Sequence, residues 1–84
     1  MKSNEVEASV RKIVAEVARR EVAALGDDDD LVEKLGLDSL QGLQMLAAVE
    51  KRFDVRFPDE RLVDLRTIRR LTDAIHAAKK ETRP

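Results

Sequence analysis

Residues 38–53, DSLQGLQMLAAVEKRF, decide how the rest of the chain is read. Asp38 and Ser39 are both good residue types for the cap of a helix. Leu40, Leu43, Leu46, Ala47, Val49 and Phe53 then supply an apolar face. The spacing predicts a helix over 39–53. Gly42 is a weak point inside it, costing about 1 kcal/mol relative to alanine. A residue that small also lets another group approach the backbone.

Upstream, Val6, Val10, Ile13, Val14 and Val17 recur at steps of three and four, continued by Ala24 and Leu25. That stripe predicts a first helix over about 4–25, stopped by Gly26. Asp27-Asp28-Asp29-Asp30 follows. Four like charges repel, lack the spacing of a calcium loop, and read as a solvated run that disfavours compact structure. Residues 26–38 read as one long loop that packs Leu31, Leu35 and Leu37 against the helices. A loop of that length in so small a domain is often functional.

Downstream, residues 53–58 alternate apolar and charged types like a strand, but the run is too short and isolated to make a sheet. Pro58 fits the start of a new helix, and Asp59 and Glu60 suit its positive end, giving a short helix over about 60–65. Thr67 caps a last helix over about 67–80, with the stripe Ile68, Leu71, Ala74, Ile75 and Ala78. Lys79 and Lys80 lie near its negative end, and the tail 81–84 should fray. The fold expected is all-α. It is a small four-helix bundle of three longer helices and one short third helix, with a long loop between helices 1 and 2, in one domain over 1–84.

Composition narrows the function. The 84 residues contain no cysteine, so disulfides and thiolate zinc sites are excluded. Any thiol chemistry must come from an attached group. Charged residues make up 39% of the chain, yet the net charge is −1, as suits thin helices with one buried face. Residues 1–50 hold 6 basic and 11 acidic residues; residues 51–84 hold 10 basic and 6 acidic. That polarity offers two different surfaces to partners. No apolar stretch reaches membrane-spanning length, and MKSNEVEASV lacks a signal-peptide core, so the expectation is a cytoplasmic protein with no membrane span. Phe53 and Phe57 are the only aromatic residues of the Phe, Tyr and Trp class, so no stacking platform for nucleic acid exists. His76 has no neighbours for a metal pair or a triad, and no metal site or catalytic residue is expected. It reads as a surface or boundary residue.

The segment Leu35-Gly36-Leu37-Asp38-Ser39-Leu40 ends the loop and opens the second helix. A serine hydroxyl there lies beside unpaired backbone N–H groups and the positive helix end. An anion attached at that point is favourably placed. Gly36 permits a backbone turn that larger residues resist. By itself, a serine at a helix start is usually only a cap.

LGLDSL resembles the attachment motif of the acyl carrier protein family. The resemblance continues through DSLQGLQMLAAVEKRFDVRFPDE and TIRRLTDAI, so residues 35–75 carry it specifically; the first helix fits by pattern only. The resemblance implies a free-standing carrier, not an enzyme, with Ser39 bearing a covalent 4′-phosphopantetheine arm derived from coenzyme A. It implies that Asp38 supports the magnesium-dependent modification by a phosphopantetheinyl transferase. Acyl groups then ride on the arm as thioesters to partners such as a ketosynthase or an acyltransferase, and the carrier works as a monomer. The partner surface implied is Leu40, Gln41, Gln44, Met45, Glu50, Asp59 and Glu60. The acyl chain would shelter among Leu43, Leu46, Ala47, Phe53, Leu62 and Ile68, residues that an ordinary core also explains.

One departure bears on the pathway. Fatty-acid members of the family display an acidic ridge on this helix, whereas Gln41 and Gln44 stand here where acids are expected, and Lys51 and Arg52 follow Glu50. Weaker steering toward basic partners points to a specialised, polyketide-like pathway rather than housekeeping fatty acid biosynthesis. Two alternatives stay open: a peptidyl or aminoacyl carrier, which Leu37 disfavours, and an unmodified helical interaction domain using Arg66, Arg69, Arg70, Lys79 and Lys80.

Overall fold

The computed structural model describes residues 3–81, with side chains over 5–79. The elements are α1 (Ser3–Ala18), α2 (Leu31–Leu35), α3 (Ser39–Phe53), a 3-10 helix (Asp59–Val63) and α4 (Ile68–Glu81). α1 packs against both α3 and α4, and the 3-10 helix leans on α3. No strand forms among the described residues, and no described helix is long and apolar enough to cross a membrane.

The apolar stripes become one core. Val6, Val10 and Val14 of α1 meet Met45, Leu46 and Val49 of α3 and Ile68, Leu71 and Ile75 of α4 in one cluster of buried side chains. Burial on this scale stabilises by about 1.5–3 kcal/mol per large aliphatic side chain. Leu31, Leu35 and Leu37 join the cluster, as the sequence predicts for the long loop.

α1 ends at Ala18, seven residues before the expected last residue, Leu25. Arg19 takes the left-handed conformation at φ 56, and the Arg20 N–H donates back to the Ala15 carbonyl at 3.2 Å. Those two features close a helix C-terminus. A helix running to residue 25 would be about 33 Å long, against about 22 Å for α3 and α4, so its last turns would have nothing to pack on. Gly26 therefore stops no helix. The chain instead turns over Val22, which is buried, and leaves Ala24 exposed and Leu25 half-buried.

The loop also differs from its reading. Its second half contains α2, one short helix capped by the Asp30 side chain, which accepts the Val32 and Glu33 N–H groups, and ended by Gly36 at φ 64. The acidic run is not a solvated repulsive stretch. Asp27 bonds Arg11 at 2.7 Å, Asp28 bonds Arg69 at 2.8 Å, Asp29 accepts the Gly26 N–H at 2.8 Å, and Asp30 bonds Arg66 at 2.7 Å. Two backbone bonds, Leu31 N–H to the Arg66 carbonyl and Arg69 N–H to the Asp27 carbonyl, seat the run on the start of α4. Repulsion among the four is offset because each carboxylate has its own donor.

The remaining elements match more closely. α3 spans the predicted residues. The short third helix is of 3-10 type and sits at 59–63 rather than 60–65. Thr67 Oγ1 accepts the Arg70 N–H at 3.0 Å, so α4 starts one residue later than expected, at Ile68, and runs to Glu81. The tail expected to fray lies, beyond Glu81, outside the described residues. Between α3 and the 3-10 helix the alternation is real: Phe53, Val55 and Phe57 are buried and Asp54, Arg56 and Pro58 exposed. With no partner strand, the Phe57 N–H donates to Glu50 Oε2 at 2.7 Å instead.

Candidate functional site

Ser39 is the first residue of α3, and it is exposed. Gly36 in its left-handed turn buries Leu37 and brings the chain round to Asp38. There Asp38 Oδ1 accepts the Gln41 N–H at 2.7 Å while Gln41 Oε1 accepts the Asp38 N–H at 3.2 Å. This reciprocal cap fixes the helix start. It leaves the Ser39 hydroxyl in solvent at the positive end of a 15-residue helix, a favourable place for a phosphodiester.

Beside Ser39 opens a cavity of about 490 Å³. Leu31, Leu37, Met45, Leu62 and Leu65 form its apolar part, and Asp38, Ser39, Asp59 and Arg66 its polar part. Gly42 lines it too, and allows a close approach: a methyl at that position would stand 3.2 Å from Leu62 Cδ2. α2 supplies one wall through Leu31 and Val32. That wall is held by Asp30, whose two oxygens bond Arg66 Nε at 3.2 Å and a terminal nitrogen at 2.7 Å.

The predicted site residues divide. Of the acyl-pocket candidates, Leu62 lines this cavity. Leu46, Phe53 and Ile68 are buried in the core and do not line it. Leu43 and Ala47 are exposed, a correction: the phase of α3 turns Met45 inward and these two outward. Met45, expected at the partner surface, is 1% exposed and faces the cavity. Leu40, Gln44, Asp59 and Glu60 are exposed as a partner surface requires; Gln41 and Glu50 are half-buried and committed to bonds within the fold. Sequence reasoning missed Leu31, Val32, Val63, Leu65 and Arg66 as cavity residues. Only Gly42, a small residue inside α3, signalled that something closes down on that helix.

Two carboxylates of the acidic run are held below their ordinary range. The Arg11 hydrogen bond holds Asp27 below its ordinary value of 3.8. For Asp30, partial burial pushes upward, but the Glu33 N–H, Arg66 and the Val32 N–H outweigh it and the net shift is downward. His76 is half-buried, and its Nε2 has no protein partner. No group of His, Asp and Glu among the described residues is arranged to hold a metal ion.

Over residues 8–75 the chain matches the family described as the phosphopantetheine attachment site. It is 32% identical over 69 residues to a non-reducing polyketide synthase, dbaI, of Emericella nidulans. The match takes in 82% of this chain and 3% of that protein's length. Among solved structures it is similar to an acyl carrier protein of the actinorhodin polyketide synthase of Streptomyces coelicolor, at 30% identity and a TM-score of 0.70, covering 92% of this chain and 93% of that one. It also resembles BlmI, a type-II acyl carrier protein of Streptomyces verticillus involved in bleomycin biosynthesis, at 27% identity and a TM-score of 0.75, covering 89% and 87%. An acyl carrier protein of Thermotoga maritima shares the fold, with a TM-score of 0.81 at 20% identity, over 99% of this chain and 96% of that one.

Proposed function

Since the chain belongs to the acyl carrier proteins that hold a phosphopantetheine attachment site, we propose that Ser39 is the hydroxyl to which the arm is joined. The observation that carries this reading is the exposed Ser39 at the start of α3, opening on a cavity with an apolar floor. The arm, once bound, supplies a thiol that this cysteine-free chain lacks, and acyl groups ride on it as thioesters. In the joining step the Ser39 oxygen would form a bond to the phosphorus of coenzyme A that carries the pantetheine, the P–O bond to the second phosphate would break, adenosine 3′,5′-bisphosphate would leave, and the hydroxyl proton would pass to the transferase.

The other residues of the site orient and shelter. The Asp38 carboxylate, fixed on the Gln41 N–H, keeps an oxygen beside Ser39 for the transferase and its magnesium. Leu37, Met45, Leu62 and Leu65 give an acyl chain an apolar surface, and Asp59 and Arg66 offer polar partners for oxygen atoms near the thioester. Similarity to a polyketide synthase and to an actinorhodin carrier supports polyketide intermediates as cargo, delivered by a cytoplasmic monomer to ketosynthases and acyltransferases.

The test is intact mass after incubation with coenzyme A, magnesium and a broad-specificity phosphopantetheinyl transferase. A gain of one phosphopantetheine, absent in Ser39→Ala, is expected. No gain under conditions that modify a control carrier would overturn the assignment.

A further inference from the structure

Arg66 is the single cation among the residues that line the cavity beside Ser39. It lies in the link between the 3-10 helix and α4. Its guanidinium is pinned: Nε and one terminal nitrogen bond the two oxygens of Asp30, at 3.2 and 2.7 Å. The backbone adds a second tie, since the Arg66 carbonyl accepts the Leu31 N–H at 2.7 Å. Asp30 is itself fixed, because it caps α2 through the N–H groups of Val32 and Glu33. A guanidinium carries its N–H donors in a rigid planar fork, so two bonds on one edge set the direction of the rest. The other terminal nitrogen of Arg66 has no protein acceptor among the described residues.

No other side chain of the cavity can donate in its place. The Ser39 hydroxyl is consumed once the arm is joined, and Asp38 and Asp59 are carboxylates, which only accept. The wall offers no spare N–H from α2, because those of Leu31 and Val32 are taken by Arg66 and Asp30. The rest of the lining is apolar, with Leu37, Met45, Leu62 and Leu65 at its floor. A saturated chain on that floor sets methylenes against the spare Arg66 donors and strips their water without replacing it. A chain with a carbonyl oxygen gives those donors an acceptor. A chain that ends in a carboxylate meets the like charges of Asp38 and Asp59.

We propose that Arg66 is a specificity-determining residue of this cavity, and that it selects an acyl chain bearing a neutral carbonyl oxygen beyond the thioester over a saturated chain of the same length. Asp30 is its positioning residue, which gives one member of the acidic run a task in cargo choice. The inference rests on the carrier reading and names the class of cargo within it. The Arg66 side chain is 39% exposed, so water restores part of what a saturated chain takes away. The preference is therefore about tenfold, the low end for a hydrogen bond from a charged donor.

The experiment loads Ser39 from coenzyme A analogues whose arms end in octanoyl or 3-oxooctanoyl amides, which resist hydrolysis, and scores loading by intact mass. In ¹⁵N-labelled wild type, the Arg66 side-chain N–H resonances should move with the 3-oxooctanoyl cargo and stay near their unloaded positions with octanoyl. Thermal unfolding gives the second readout. The Tm of the 3-oxooctanoyl form, relative to the octanoyl form, should be about 6–10 °C more favourable in wild type than in Arg66→Met, which keeps an unbranched side chain but no donor. Asp30→Asn keeps the cap of α2 and should lose part of that difference. Arg66 resonances that respond alike to both cargoes overturn the inference, as does a cargo difference that Arg66→Met leaves unchanged. If Arg66→Met does not fold, the wild-type resonances decide alone. Failure to load Ser39 removes the carrier reading, whereas normal loading with no cargo preference leaves that reading standing and removes only this inference.

Discussion

Replacing Gly42 with alanine sets two effects of known size against each other. Gly42 is buried in the early part of α3, where alanine gains up to about 1 kcal/mol of helix propensity. The new methyl would stand 3.2 Å from Leu62 Cδ2 and 3.5 Å from Cδ1, so Leu62 must retreat by a few tenths of an ångström. Leu62 has the freedom to do so. The touching atoms end a flexible side chain, the 3-10 helix that carries it buries no residue, and a cavity of about 490 Å³ lies alongside. Such a retreat loosens a few carbon contacts worth about 0.1–0.2 kcal/mol each. The balance is a net gain of about 0.5 kcal/mol, or about 2–4 °C in Tm for a domain of this size. Far-UV circular dichroism is the probe, since the chain has no Trp or Tyr. Thermal and urea unfolding should agree, with the urea slope unchanged. A loss of more than about 1 kcal/mol would refute the reasoning, because it would mean that Leu62 is wedged and the 3-10 helix rigidly seated.

Three further outcomes follow from the fold. Arg19→Gly should stabilise by about 1 kcal/mol, because glycine occupies the left-handed helix end without the steric cost that arginine bears there; a lower urea midpoint would show that the Arg19 side chain holds the helix end instead. Leu31→Ala should cost about 2–5 kcal/mol, the toll of a core leucine, although Leu31 opens a five-residue helix inside a long connection; a loss under about 1 kcal/mol would sink that placement. Asp27 and Asp30 are held below 3.8 in the folded state, so the unfolded chain binds more protons in acid. Their contribution is complete above that value and is lost as pH falls through the depressed values. The wild-type urea midpoint should drop more between about pH 5 and strong acid than that of Asp27→Asn with Asp30→Asn, and equal drops would count against the pairing.

Local pattern made α3, the start of α4 and the place of Ser39 at a capped helix start legible, because caps and stripes are short-range features and Asp38 and Thr67 bond within three residues of themselves. The inward phase of α3 was not legible. Leu40, Leu43, Met45, Leu46, Ala47 and Val49 cover much of the helix circumference, and only packing against α1 decides that Met45 turns in and Leu43 out. The end of α1 escaped notice because arginine rarely takes a left-handed conformation, so nothing in its letter marks a stop. The acidic run was misread for a different reason. Arg66 and Arg69 lie 36 and 41 residues away from the aspartates they bond, a distance at which residue periodicity says nothing. Cavity residues Leu65 and Arg66 escaped in the same way.

Long surface connections usually accept inserted sequence, since closing a longer loop adds little entropy cost. In this chain the freedom is confined to a few positions. From Asp27 to Leu31 both side chains and backbone are fastened to α1 and α4, and a peptide spliced there would cut the ties that hold α2 against the cavity. Ala23 and Ala24 are exposed and spanned by a single turn bond from the Leu25 N–H to the Val22 carbonyl. An affinity tag or fluorescent reporter belongs at that pair, on a stretch that can swell while the wall beside Ser39 keeps its place.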